Sequence, residues 1–132
     1  ERIGDLAVNL AERAPPRDHP ALPELNVHDI ATIAAEMVET ALTAYETGDP
    51  GLCHRVDAQD DELDGLCERV TDLLVRSLVS MDAPAVRDVE AVHPAVVDLL
   101  LIVRDLERIG DHAVNVAART LYAVESSERL LH

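Results

Sequence analysis

The sequence predicts an all-α protein: an antiparallel three-helix bundle preceded by a short additional helix. Three observations lead there. Of the 132 residues, 48% are hydrophobic, the composition of a folded chain long enough for one domain with a real core. With two Tyr, no Phe and no Trp, that core must come from aliphatic packing, which favours helices. Apolar residues recur at helical spacing in three long runs, and no alternating strand pattern competes with them.

Residues 1–14 form the short first segment. It ends against Pro15 and Pro16, with Pro20 and Pro23 close behind, so residues 15–25 read as a Pro-rich linker. Residues 26–132 hold the bundle. Its first helix begins at Asn26 or Asp29, with Asp29 a plausible cap, and Ile30, Ile33, Met37, Ala41, Ala44 and Tyr45 repeat at helical spacing. The run stops at Gly48-Asp49-Pro50-Gly51, a strong turn signal. The second helix, running to about Ser80, carries Leu52, Val56, Leu63, Leu66, Val70, Leu73 and Ser77, with one polar gap where the step predicts residue 59. Its mean spacing of about 3.5 is that of helices lying nearly antiparallel in a bundle. Residues 82–93 read as a connector, after which Pro94 suits a first helical turn. In the third helix Val96, Leu99, Leu100, Val103, Leu106, Ile109, Ala113, Ala117, Leu121 and Val124 keep helical spacing for about thirty residues.

Charge and cysteine usage narrow the function classes. Twenty-six Asp and Glu against eleven Arg and no Lys leave a formal charge of −15, which repels phosphate backbones. Without basic patches or stacking aromatics, nucleic-acid binding is not expected. Cys53 and Cys67 lie fourteen residues apart in one helix, placing their Cα atoms roughly 21 Å from each other. A disulfide needs Cα atoms within about 7 Å, so free buried thiols in a reducing cytoplasm are the plain reading. The longest apolar run, Val96 to Val103, is interrupted by Asp98 and falls short of the roughly 20 residues of a membrane span. No signal peptide is evident, and a soluble cytoplasmic protein is expected.

One phrase is written twice. Residues 1–14, ERIGDLAVNLAERA, and residues 107–120, ERIGDHAVNVAART, agree at ten of fourteen positions. In each copy Glu and Asp are four apart, so both carboxylates share a helix face about one turn apart and repel each other by a few tenths of a kcal/mol. The adjacent Arg2 and Arg108 offer an ion-paired, solvated face as the plain explanation. A bridging cation is the sharper one, since carboxylate oxygens suit Mg²⁺ and Mn²⁺ and also serve iron and zinc. A second acidic series favours it: Asp57, Asp60, Asp61 and Asp64 form a stripe in the second helix at spacings of three and four. Facing carboxylates on adjacent helices are how bundles hold multinuclear metal sites. The sequence holds a single E-x-x-H, at Glu90 and His93, and not the two that di-iron carboxylate enzymes pair, which counts against oxygen chemistry. Gly4 and Gly110 sit inside helical patterns at a cost of about 1 kcal/mol each, offset by close approach of a neighbour. Asn9 and Asn115 extend the carboxylate face by one turn, either as outer hydrogen-bonding groups or in ordinary packing. His112 points about 100° away and reads as a surface or packing histidine.

The stretch DLERIGDHAVNVA at 105–117, together with the D-x-x-L-D run from Asp60 to Asp64, resembles the PhoU family of phosphate-responsive regulatory adaptors. The resemblance covers 26 to about 125 as one full three-helix repeat, with 1–14 as the C-terminal helix fragment of a preceding repeat. It implies a non-catalytic protein linking the ATPase of a phosphate transporter to a sensor histidine kinase, peripheral to membrane complexes at most and a homodimer. It also implies metal ligands at Glu107 and Asp111, joined by Asp60 and Asp64, with Glu1 and Asp5 matching the first-repeat motif. Asp57 is added from the stripe. Glu1 and Asp5 lack their partner helix in this chain, and exchange of the first helix within a dimer would restore it. Three alternatives stand beside this reading: a PhoU-like domain serving potassium or low-affinity phosphate transport, a metal-dependent hydrolase or oxidase, and a structural bundle with salt-solvated acids.

Overall fold

The computed structural model describes residues 4–5, 7–8, 27–79 and 86–131. Three helices follow in order: α1 (Val27–Thr47), α2 (Pro50–Val79) and α3 (Val86–Leu131). All three pack against one another, and no strand occurs among the described residues. The expected all-α bundle is what the chain forms.

The turn between α1 and α2 is built from the residues that signalled it. The Gly48 N–H donates to the Ala44 carbonyl at 2.8 Å, closing the last turn of α1. Gly48 itself adopts φ 66°, the left-handed region that an L-residue enters at a cost of about 1–2 kcal/mol. Asp49 then caps α2, its Oδ1 accepting the Gly51 N–H at 2.8 Å. Pro50 takes the first helical position, where a missing N–H costs nothing.

Two contacts set the directions of the helices. A Cβ added to Gly110 would stand 2.5 Å from Leu63 Cδ2 and 3.5 Å from Met37 Cε, so Met37, Leu63 and Gly110 share one layer of the bundle. A Cβ on Gly48 would meet Val124 at 3.6 Å, so the ends of α1 and α3 share another. Going from the first layer to the second means moving forward along α1 and α3, and backward along α2. The bundle is therefore up-down-up, with α2 antiparallel to both neighbours.

The core is aliphatic, as the composition demands. On α2 the buried positions are Cys53, Val56, Leu63, Cys67, Val70 and Leu74, alternating steps of three and four, apart from one place to be filled at residue 60. Facing them are Ile30, Ala34, Met37, Ala41 and Ala44 of α1 and Val96, Leu99, Ile102, Val103, Leu106, Ile109, Ala113 and Ala117 of α3.

Five expectations need correction. First, α3 starts at Val86, so Pro94 lies inside it and not in its first turn. A proline that forfeits one backbone bond is outweighed here by the packing of a long helix. Second, Asp29 is not the cap of α1 but lies in its first turn, where a carboxylate complements the positive end of the helix dipole. Third, Tyr45 is 70% exposed, because Ala44 already occupies the inward step and the neighbouring position turns outward. Fourth, Leu74 and not Leu73 continues the buried seam of α2. The two cysteines supply the phase: counting the seam through Cys53 and Cys67 carries it to Leu74. Fifth, the polar interruption in that seam takes in Asp60 as well as Gln59, both half-buried with a covered oxygen that has no hydrogen-bond partner.

Candidate functional site

The seam of α2 brings a carboxylate inward at Asp60. Aliphatic residues occupy the seam at Val56 and Leu63 on either side. Asp60 is half-buried, and its Oδ1 is fully covered with no hydrogen-bond partner. Burial raises the Asp60 pKa above its ordinary value of 3.8, and the charges of Asp64, Asp111, Asp61 and Asp57 push it further in the same direction. An acceptor without a donor, in a field of four other carboxylates, is a costly place for negative charge.

The antiparallel register assembles the rest. With Leu63 level with Gly110, the next turns pair Asp60 with Asp111 on one side and Cys67 with Glu107 on the other. The charges felt by Asp60 include Asp111 of α3. The Cys67 thiol lies in the field of Glu107 of α3 as well as of Asp64 and Asp60. Burial, with Glu107 next in size, raises this thiol to about 12, so it stays a protonated donor at neutral pH. Asp64 and Glu107 also line an acidic recess of 280 Å³ with Glu68, Thr71 and Asp72.

The two acidic features singled out in the sequence therefore meet across the α2–α3 interface. Asp60, Asp64, Glu107 and Asp111 are brought together, with Asp57 at the edge of the group. Asp64 and Asp111 are exposed and Glu107 is half-buried. Asp5 and Gly4 belong to an exposed helical stretch, and no described residue lies within 4 Å of a Cβ added to Gly4. The second copy of the phrase is packed at Gly110, whereas among the described residues nothing packs on Gly4. Glu1 and most of 1–25, with the linker reading, lie outside the described residues. Cys67, Glu68, Thr71 and Asp72 were not among the expected site residues. Their signal was present in spacing alone, because Cys67, Glu68 and Thr71 fall three, four and seven residues after Asp64 and share its face.

The donor set has the chemistry of a hard-cation site: carboxylate oxygens, one of them buried and without a partner. Among the described residues, no group of three or more His, Cys, Asp and Glu side chains is arranged to hold an ion. The carboxylates form an open acidic face with one inward anchor, and closing on a cation requires the exposed Asp64 and Asp111 to turn toward Asp60.

The profile of the PhoU domain matches residues 27–120. The chain is 31% identical over 132 residues to a phosphate-specific transport system accessory protein PhoU homolog of Xylella fastidiosa strain 9a5c, covering 98% of this chain and 52% of that protein. It is 34% identical over 133 residues to the protein of that name from Zymomonas mobilis, covering 97% and 52%. An archaeal relative, PhoU homolog 1 of Methanothermobacter thermautotrophicus, is 28% identical over 127 residues, covering 94% and 54%. The chain spans about half the length of the curated relatives it matches. No solved structure matches it.

Proposed function

The chain belongs to the PhoU family, and on that premise we propose that it is a non-catalytic regulatory adaptor of phosphate uptake and phosphate-starvation signalling that binds a cation through carboxylates of α2 and α3. One observation carries the metal reading: the partnerless, covered oxygen of Asp60 lies in the combined field of the α2 stripe and Asp111 of the repeated phrase. The regulatory reading is supported by relatives that are named accessory proteins of a phosphate-specific transport system. An accessory protein is a helper that binds, which agrees with a site made of ligands and helix faces.

Asp60, Asp64, Glu107 and Asp111 are the residues that hold the ion, with Asp57 beside them. Carboxylate oxygens suit Mg²⁺ and Mn²⁺ and also serve iron and zinc. When bound, the cation supplies positive charge that offsets the repulsion among these acids and ties α2 to α3. Asp60 orients from within the seam, Asp64 and Asp111 close from the surface, and Gly110 keeps α3 near enough to α2 for the two sets to meet. Glu1 and Asp5 are the corresponding half-site of a preceding repeat. The partners of the adaptor are the ATPase of a phosphate transporter and a sensor histidine kinase, met as a cytoplasmic homodimer. No helix of the described residues is long and apolar enough to cross a membrane, in keeping with a protein that approaches membrane complexes from one side.

Metal analysis of the purified chain and co-purification with a transporter ATPase and a histidine kinase test this function. Retention of metal by the wild type, its loss in Asp111→Ala, and capture of either partner are the expected results. Turnover of a phosphoester or of oxygen would overturn the adaptor reading.

A further inference from the structure

Resting on the homodimer of the reading above, and independent of its metal site, we propose that the groove between the C-terminal halves of α1 and α3 seats the first helix, residues 1–14, of a second copy of this chain. On α1, Ala31, Ala35, Val38, Leu42 and Tyr45 each follow a buried position. They give the helix a second apolar stripe, about 100° from its core face. The last two, Leu42 and Tyr45, stand 53% and 70% exposed. The facing wall is His112, Val116, Arg119 and Ala123 of α3, at steps of four, three and four. Between the walls, Tyr45, Val116, Arg119, Thr120, Ala123 and Val124 line a recess of 300 Å³. None of these residues is acidic, whereas the recesses beside α2 hold Glu36 and Glu39 in one and Asp64, Glu68, Asp72 and Glu107 in the other. Copies of a chain carrying −15 charges repel one another, and this is a face on which they can approach.

The repeated phrase supplies the occupant. Its two copies differ at four places: Leu6 for His112, Leu10 for Val116, Glu12 for Ala118 and Ala14 for Thr120. Two of these changes put leucine where α3 forms the groove wall, and with Ile3 they make an apolar stripe at steps of three and four. Arg2 and Arg13 border that stripe. On the α1 wall the exposed Glu39 and Glu46 come directly after Val38 and Tyr45, so the charges flanking the two apolar surfaces are opposite. The described residues of the first copy, 4–5 and 7–8, are all exposed, so the bundle of their own chain does not cover them. Four prolines within residues 15–25 favour an extended spacer over a fold-back, which makes a neighbouring copy the host. The exchange is reciprocal: each copy gives its helix and receives the other's, the closed two-fold arrangement of a swapped dimer.

Sedimentation velocity over a dilution series, in salt that screens the acidic surface, tests the seat with two variants. Leu10→Asp charges the incoming helix and Leu42→Asp charges the groove. Leu10 lies outside the three helices and Leu42 is exposed, so thermal unfolding should show the bundle intact in both. Each variant alone should weaken dimerisation about tenfold or more. Mixed, they should associate more tightly than either alone, because the Leu42→Asp chain still gives a sound helix to the sound groove of the Leu10→Asp chain. No gain on mixing would overturn the exchange, and is the result expected if each helix sat in its own groove. A wild-type dimer that neither variant weakens would overturn the seat while leaving the homodimer in place. A wild type that stays monomeric throughout would remove the homodimer, and the seat with it.

Discussion

At the scale of single residues, two positions show what the fold tolerates for the sake of the site. Asp60 sits where the seam of α2 calls for an aliphatic side chain, with a covered oxygen that no donor reaches. Replacing it by leucine should stabilise the metal-free protein by about 1–3 kcal/mol, measured by urea unfolding, while abolishing metal binding. The advantage should depend on pH. Burial and four neighbouring carboxylates raise the Asp60 pKa in the fold above its ordinary value of 3.8, so the folded state holds this proton more tightly than the unfolded one. Stability contributed by Asp60 is then gained as pH falls through the raised folded value toward 3.8, and lost as pH rises. The difference between Asp60→Leu and wild type should accordingly shrink on acidification, and a difference that stays constant down to the ordinary carboxylate range would contradict this account. Gly110 is the second position. An added Cβ would stand 2.5 Å from Leu63 Cδ2, and Leu63 is fully buried, so the methyl cannot be accommodated by swinging that side chain into solvent. Alanine gains about 1 kcal/mol of helix propensity but incurs about 1–3 kcal/mol of overpacking. Gly110→Ala should lower the melting temperature, the reverse of what the same change does on an exposed helix face. The sequence marked Asp60 as one of a stripe of carboxylates and Gly110 as a glycine whose cost the close approach of a neighbour offsets, and Leu63 is that neighbour. It did not show that Asp60 is partly covered, because the polar gap was counted at residue 59 alone.

At the scale of elements, the helices were legible from periodicity and their ends from turn chemistry, to the extent that those signals are local. The Gly48–Pro50 turn is the clearest case, where φ, cap and first-turn proline each come from one residue. Gly48→Ala should cost about 1–2 kcal/mol for φ 66° alone, since the nearest side-chain atom, on Val124, lies at an ordinary 3.6 Å from the added Cβ. Equilibrium unfolding measures this, and Gly48→Asn should lose less, as asparagine visits that region more readily. The start of α3 was less legible. Pro94 carries a first-turn signal, yet the helix begins at Val86. A proline reports only its own missing bond, whereas the extent of a helix is decided by what it packs against. The phase of α2 was missed for a related reason. Leu66 is larger and more apolar than Cys67, so hydropathy preferred it, and stepping on from Leu66 through Val70 led to Leu73 in place of Leu74. A strict count of threes and fours through the cysteines selects Cys67 and Leu74, the residues that are buried.

At the scale of the whole molecule, the question is whether −15 net charges describe a general acidic surface or a site. The two make different demands on the solvent. A solvated acidic face is relieved by any salt, because raising ionic strength to 1 M shortens the screening length to about 3 Å. A site answers only to ions that its ligands can coordinate, and at concentrations far too low to screen. In excess NaCl, where general repulsion has been removed, Mn²⁺ at a hundred times its dissociation constant should add about 2.7 kcal/mol to the stability of the wild type. For a chain of this length that is roughly 10 °C in melting temperature. Asp111→Ala removes one of the exposed carboxylates proposed to close over Asp60 but leaves the rest of the acidic surface as it was. It should therefore keep the full response to NaCl and lose the response to Mn²⁺. If the variant and the wild type respond alike to both salts, the acids are a solvated face and the meeting of the two acidic features is structural. If the responses separate, the phrase repeated at 107–120 is one wall of a binding site, with the stripe of α2 as the other.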